Sequence, residues 1–287
     1  MKKKYQDNFA AFILTHGRAD HVLTYNTLRN AGYTGRIYIV IDTEDPEEKK
    51  YRERYGKEVL QFDKDETVKS FDIGDNFTDR RGVIIYARNA VFGLAKAVGV
   101  EYFIELDDDY TSFTFRFDGQ RRFRGKKIKD LDKVFELMLD YYIAIGDRCK
   151  TLAMAQGGDF IGGGNGTYGK KIALHRKAMN TFICSVNRPF KFVGRINEDV
   201  NTYTSETYRG ELFLSLGQIC VHQKQTQSNA GGMTGVYLES GTYLKSFYSV
   251  MYHPAGVKVR LMTTKNPRLH HAICWNNTAP MIVRERA

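Results

Sequence analysis

One stretch, Gly82 to Asp109 (GVIIYARNAVFGLAKAVGVEYFIELDDD), narrows the folds open to this chain more than any other. From Ala87 to Val98 the apolar residues Val91, Leu94, Ala95 and Val98 recur at the spacing that buries one helical face. Gly99 then supplies the stop. The run Tyr102, Phe103, Ile104 and Leu106 is short, apolar and aromatic, the pattern of a strand covered on both faces in a parallel sheet. Asp107, Asp108 and Asp109 sit at its carboxyl end. Three adjacent carboxylates repel one another and are tolerated when solvated or when a divalent cation neutralises them. Ligands of open α/β sheets bind in the crevice beyond the carboxyl ends of the strands. Hard oxygen donors there suit Mg2+ or Mn2+ bridging to a phosphate-bearing substrate. A solvated acidic turn is the plainer alternative.

The residues before this stretch alternate strand and helix signals. Phe9–Leu14 reads as a first strand, followed by the loop Thr15, His16, Gly17 and Arg18. Arg18 or Asp20 opens a helix carrying Val22, Leu23, Leu28 and Ala31, which Gly32 ends. Arg36 to Ile41 is a second strand closed by Asp42. Asp45 with Pro46 after it starts a charged helix that runs to about Tyr55, before Gly56. Val59 to Phe62 makes a third strand, completing a doubly wound pattern. The polar stretch from Asp63 to Arg81, with Gly74, has the length of a functional loop.

Beyond the acidic triplet, Ser112 to Phe117 alternates, Asp118 and Gly119 form a hairpin turn, and Arg121 to Lys127 is a basic return strand. Asp130 opens an amphipathic helix through Val134, Leu137, Met138, Tyr141 and Ile145, ending at Gly146. Leu152 to Gln156 reads as a strand. The glycine-dense run GGDFIGGGNGTYG, with Gly162, Gly163, Gly164 and Gly166, fits neither phosphate-binding glycine motif, so backbone mobility near an acceptor or sugar pocket is expected instead. Leu174 to Phe192 mixes strand and helix signals. In GRINEDVNTY either Asn197 or Asp199 is placed to cap a helix. Leu212–Leu216 and Ile219–His222 read as two strands, Leu238–Tyr252 as a helix and Val257–Met262 as a strand. No repeat, low-complexity tract or linker interrupts the chain, so residues 1–287 are expected to form a single domain.

Lys and Arg number 43 against 33 Asp and Glu, a net charge of +10 with a pI near 9.3. A field of that sign favours an anionic partner, although part of it serves plain solubility. Cys149, Cys184, Cys220 and Cys274 are widely spaced with no C-x-x-C pair, which suits reduced thiols of a cytoplasmic protein and no zinc or disulfide framework. No stretch is apolar enough to span a membrane. The start, MKKKYQDNFAAFIL, is too briefly apolar to be a signal segment and is expected to be a solvated tail before the first core strand.

The run YARNAVFGLAKAVGVEYFIELDDD resembles the signature of GT-A fold glycosyltransferases, in which an Arg-Asn pair opens a helix leading to the strand that bears an Asp-x-Asp motif. THGRAD near the start, the acidic triplet, GRINED and the basic, aromatic second half resemble the TET-associated glycosyltransferases of phages, which are thought to transfer sugar to 5-hydroxymethylated pyrimidines in DNA. The resemblance implies an α/β, Rossmann-like GT-A fold: a mostly parallel central sheet with an irregular C-terminal acceptor lobe. Residues 9–115 would form the nucleotide-sugar half and residues 116–287 the acceptor half. It also implies a nucleotide-sugar donor, a UDP-sugar by expectation, and Mn2+ or Mg2+. The setting would be cytoplasmic, that of the host cell if phage-encoded. Nothing in the sequence fixes an oligomeric state.

Carried over residue by residue, Thr15 and Arg18 would line the nucleotide site, and Asp42 would meet the base or ribose. Arg88 and Asn89 would hold the nucleotide or order the acidic loop. Asp107 and Asp109 match Asp-x-Asp, with Asp109 the first choice as a metal ligand, and Asp108 would face the sugar or ribose. A bound cation stabilises the charge that develops on a leaving diphosphate. The acceptor hydroxyl must lose a proton, which a nearby carboxylate takes. Glu198 and Asp199 match the pair at a helix start, and Asp199 is the expected base. Helix capping explains the same residues without chemistry. His222, at a strand end, is a candidate third metal ligand, since some GT-A enzymes add a late histidine. His16, His253, His270 and His271 have weaker claims.

For the acceptor, Arg121, Arg122, Arg124, Lys126 and Lys127 interleave with Phe123, a pattern suited to phosphate contacts beside a stacking ring. Lys258, Arg260, Lys265 and Arg268 form a second basic cluster. A modified base inside a duplex must be flipped out before its hydroxymethyl group is reachable. Two other readings stay open: a GT-A enzyme with a glycan, lipid or protein acceptor, and a catalytically inactive DNA-binding module. A phosphatase or nuclease is disfavoured because no partner cluster has ligand spacing.

Overall fold

The structure is a computed structural model that describes residues 4–74, 83–160, 172–173, 175–224, 234–263 and 267–279. The first four strands, β1 (Phe9–Leu14), β2 (Arg36–Asp42), β3 (Val59–Phe62) and β4 (Tyr102–Asp107), lie in the order β3-β2-β1-β4, all parallel. Helices α1 (Leu23–Asn30), α2 (Glu48–Tyr55), α3 (Lys64–Val68) and α4 (Ile85–Ala97) connect them. β1 is buried at every position because its side chains serve two cores by turns. Phe9, Ala11 and Ile13 join one cluster with α1, while Ala10, Phe12 and Leu14 join the other with α4. This is why its sequence is apolar without alternation.

The chain continues through β5 (Tyr110–Phe117), β6 (Phe123–Lys127), α5 (Leu131–Ile145), β7 (Cys149–Gln156), β8 (Ile172–Ala173), β9 (Phe182–Ser185), α6 (Glu198–Tyr208) and β10 (Leu212–Gln223). These strands extend the sheet to ten, with β9, β7, β10, β5 and β6 following β4 and β8 pairing off β10. β5, β8 and β9 run against the other seven strands, so the sheet is mixed but mostly parallel. The C-terminal part is α7 (Thr234–Tyr252), a separate ribbon of β11 (Val257–Met262) and β12 (Arg268–Ile273), and α8 (Trp275–Thr278).

Several boundaries differ from the sequence expectation. α2 begins at Glu48 because the Asp45 carboxylate accepts from Glu47 N and Gly17 N, holding Pro46 in a turn. The polar stretch after β3 contains α3, capped by Asp63 through Asp65 N and Glu66 N. α4 starts at Ile85, which is buried along with Tyr86. In α5 the core positions are Leu131, Val134, Phe135, Met138, Leu139 and Tyr142, whereas Leu137 and Tyr141 face outward. β10 is one strand whose register shifts between Leu216 and Cys220, so a bulge had split it into two apparent strands. Between Leu174 and Phe192 the strand is β9. Gly162, Gly163, Gly164, Gly166 and Lys265 lie outside the described residues. Gly32 ends α1 with φ +88°, and a Cβ there would run into the Lys129 carbonyl. Cys149, Cys184 and Cys220 are buried free thiols. Among the described residues no helix is long and apolar enough to cross a membrane.

Candidate active site

Register brings the carboxyl ends of three strands level. Leu14 pairs with both Val40 and Asp107, so the β1 loop, the end of β2 and the acidic turn share one edge. Thr24, in the first turn of α1, clamps that turn. Its hydroxyl donates to the Asp107 carbonyl at 2.6 Å and accepts from Tyr110 N at 2.9 Å, while its own N–H reaches the Asp108 carbonyl at 3.1 Å. Asp108 turns toward the β1 loop. It accepts from Thr15 Oγ1 at 2.7 Å and from Arg18 at 3.4 Å. Burial raises its pKa, against the pull of Thr15 and Arg18. Tyr51 of α2 steadies the same loop through Thr15 Oγ1 at 2.9 Å and Arg18 N at 2.8 Å.

Arg88, 2% exposed in the first turn of α4, is the hub of the site. Its Nε donates to Glu198 at 3.1 Å and another guanidinium nitrogen to Asp107 at 3.1 Å, and a third lies 3.6 Å from Glu105. The rings of Phe182 and Phe192 flank the guanidinium at 4.8 and 5.6 Å. One cation thus ties the end of β4 to the first turn of α6. Burial alone would lower its pKa, but Asp107, Glu198 and Glu105 outweigh that and keep it charged. The three carboxylates are under-compensated. Burial pushes Glu105 up to about 8 and Asp107 up to about 6, each partly relieved by Arg88.

Among the described residues no cation pairs with Asp109 in this way. Its backbone carbonyl accepts from Lys224 N at 3.2 Å, but its Oδ1 is buried without a hydrogen bond. Burial, then Asp107 and Asp108, push it up to about 7. An orphaned carboxylate oxygen beside a second under-neutralised carboxylate is a donor set that fits a hard divalent cation. His222 lies 3.0 Å from Thr114 Oγ1 across the β5–β10 pair, and burial lowers its pKa. Among the described residues, Asp107, Asp109 and His222 do not converge as a three-ligand group.

The group that does converge is His16, Asp42 and Asp45, with ligand atoms within 4.8 Å of one another. It already holds cationic partners. His16 Nδ1 is 2.6 Å from Asp42, and buried Lys64 is 3.0 Å from the other oxygen of Asp42. Burial would raise the Asp42 pKa, but His16 and Lys64 outweigh it and hold it low, and Asp42 in turn raises His16. With Lys64 at that distance, the nearby charge is balanced without a metal.

Asn197 begins α6 in the left-handed region, φ 56°, and caps no helix N–H with its side chain. Its Nδ2 instead donates to the Lys245 carbonyl at 2.8 Å and to Ser249 at 3.2 Å, docking α7 on α6. Glu198 is spent on Arg88. Asp199, half-buried, accepts from Val200 N at 2.7 Å and feels the charges of Lys177 and Lys245; burial raises its pKa. Asn89 uses its whole amide on backbone, donating to Ile85 and Phe192 carbonyls and accepting from Phe192 N. It therefore positions the segment behind Arg88. Thr24, Tyr51, Lys64, Glu105 and Lys245 were not singled out from the sequence. Each comes from an element whose neighbours only the fold supplies. In the β5–β6 hairpin, Arg121, Arg122, Arg124, Lys126 and Lys127 are exposed, and Arg116 stacks on Phe123 and Phe160 at 4.7 and 4.4 Å.

Among solved structures, S. aureus TarS 1-349 in complex with UDP-GlcNAc is similar at 11% identity and TM-score 0.45, over 77% of this chain and 60% of that one. The chain thus spans less than two thirds of that protein. Glucosyl-3-phosphoglycerate synthase from Mycobacterium tuberculosis, in complex with Mn2+, UDP and glucosyl-3-phosphoglycerate, is similar at 8% identity and TM-score 0.45, over 96% and 88% of the two chains. These likenesses are remote. By sequence, no curated protein matches the chain. The family model of the TET-Associated Glycosyltransferases matches residues 9–232, the whole span from β1 through the acidic turn to α6 and β10, and the chain belongs to that family.

Proposed function

We propose that the protein moves a sugar from a nucleotide-sugar donor, a UDP-sugar, to the hydroxymethyl group of a modified pyrimidine base in DNA, with Mn2+ or Mg2+ as cofactor. The observation that carries this reading is the Arg88 bridge. It ties the acidic end of β4 to Glu198, next to Asp199 at the start of α6, which supports a donor-side and an acceptor-side carboxylate acting at one site. Residues 9–115 form the donor half and residues 116–287 the acceptor half.

Asp107 and Asp109 would hold the cation, which when bound supplies Lewis-acid stabilisation of a leaving diphosphate. Thr15 and Arg18 orient Asp108 and line the donor crevice, and Arg18 adds positive charge where phosphates are handled. Asp42, fixed by His16 and Lys64, shapes the base and ribose end. Asp199 takes the proton of the acceptor hydroxyl, and Arg88 keeps Glu198 from competing for that role. The exposed cations of the β5–β6 hairpin suit a phosphate backbone.

The test is incubation with DNA containing 5-hydroxymethyluracil or 5-hydroxymethylcytosine, Mn2+ and a panel of nucleotide sugars, followed by mass measurement of the digested nucleosides. The expected result is a hexose-sized or N-acetylhexosamine-sized gain that Asp109→Ala abolishes. Unchanged nucleosides across the panel would rule out the DNA acceptor.

A further inference from the structure

The chain changes character beyond residue 232, where the family match ends. Residues 240–284 contain no Asp or Glu, in a chain that has 33 of them. Within this stretch β11 and β12 form a two-stranded antiparallel sheet separate from the main one. Arg260 lies opposite His270, Met262 opposite Arg268 and Lys258 opposite Ala272. Residues directly opposite share a face, so Lys258, Arg260, Arg268 and His270 gather on one side of the ribbon. The three Lys and Arg side chains are exposed. The other side carries buried Val257, half-buried His271 and Ile273, and α7 packs against both strands. Even that inner side lies in a positive field. Burial, then His270, Lys245 and Lys177, push His271 down to about 4.

α7, on which the ribbon packs, is itself docked against the start of α6, the helix that bears Asp199. Tyr248 of α7 donates to the Ile73 carbonyl at 2.8 Å and accepts from Arg195 N at 3.1 Å, and Asn197 binds the Lys245 carbonyl. Gly194 has φ +78°, and a Cβ there would meet Tyr248 and Tyr252 as well as Asn201, so α7 lies close against the approach to α6.

We propose that the β11–β12 ribbon is a docking element for duplex DNA, its outer cations lying against the phosphates that border a groove while the chemistry takes place at α6. Two strands about 4.8 Å apart are narrow enough for a B-form major groove about 12 Å wide. The inference rests on the DNA-acceptor reading for its biological purpose, but it is tested by binding alone.

The experiment compares the full chain with the triple variant Lys258→Gln/Arg260→Gln/Arg268→Gln by fluorescence anisotropy on a labelled duplex across a salt series. A control, Lys49→Gln/Lys57→Gln/Lys96→Gln, removes the same charge from exposed positions elsewhere. Three lost phosphate contacts should reduce the log–log salt slope by about 3 and weaken binding on the order of a hundredfold near physiological salt. The control should keep the wild-type slope, and thermal midpoints should stay together. A wild-type slope in the ribbon variant, an equal loss in the control, or tighter binding of anionic vesicles than of duplex at the same salt overturns the proposal. Ribbon-dependent DNA binding without sugar transfer would remove the acceptor reading and leave the ribbon. Transfer to DNA with an unaltered slope in the variant would do the reverse.

Discussion

Glu105→Gln isolates the electrostatic cost of the site. Glu105 is fully buried on β4, neither of its oxygens accepts a hydrogen bond, and the nearest cation is Arg88 at 3.6 Å. Its pKa is raised from the ordinary 4.5 to about 8. Because the folded value lies above the unfolded one, the folded state holds an extra proton between the two. Its contribution to stability is complete below pH 4.5 and is lost as pH rises through about 8. At about 1.4 kcal/mol per pH unit, the interval corresponds to a ceiling of about 5 kcal/mol. That is comparable to the whole stability of many domains, commonly about 5–15 kcal/mol.

Gln keeps the shape, never ionises, and can turn its carbonyl dipole toward Arg88. The variant should therefore match wild type within about 1 kcal/mol near pH 5 and exceed it by several kcal/mol above about pH 8. The assay is urea unfolding followed by circular dichroism in chelator-containing buffer across that range. Asp107 and Asp109, raised to about 6 and about 7, leave a residual slope of the same sign in both proteins. A variant that loses stability with pH as steeply as wild type would refute the assignment of the buried proton to Glu105.

Asp199→Asn should lower kcat by about 10²- to 10⁴-fold while UDP binding with Mn2+ stays within twofold or so, since the change lies on the acceptor side. Undiminished kcat would exclude Asp199 as the base. Gly194→Ala should destabilise by about 1–3 kcal/mol in thermal or urea unfolding, because the backbone is left-handed and the added methyl meets Asn201, Tyr248 and Tyr252. An unchanged midpoint would mean that α7 moves freely away from this turn.

Much of the first half of the chain was legible from residue pattern. The limits of β1, β3 and β4 match the expectation, as do the stops at Gly32, Gly99 and Gly146, because buried strands and left-handed helix ends leave local chemical marks. The marks were weaker where tertiary contacts override them. Asp45 delays α2, a bulge keeps β10 whole, and the outward turn of Leu137 and Tyr141 depends on which face of α5 meets the sheet. At the site, the acidic triplet and the Glu198-Asp199 pair were visible as residue types, but their relation was not. Arg88 joins Glu198 across 110 positions of sequence, and no spacing rule reaches that far.

The sequence by itself determined that a parallel sheet forms from the first strands and that carboxylates stand at its fourth strand's end, since apolar runs and glycine stops act within a few residues. Only the tertiary structure decided which of those carboxylates is neutralised and by what. Arg88 engages Asp107, Thr15 and Arg18 engage Asp108, and Asp109 keeps a buried oxygen with no hydrogen-bond partner among the described residues. The reason is that charge compensation in a buried site depends on distance through space, which is set by strand register and helix packing after the chain has closed on itself.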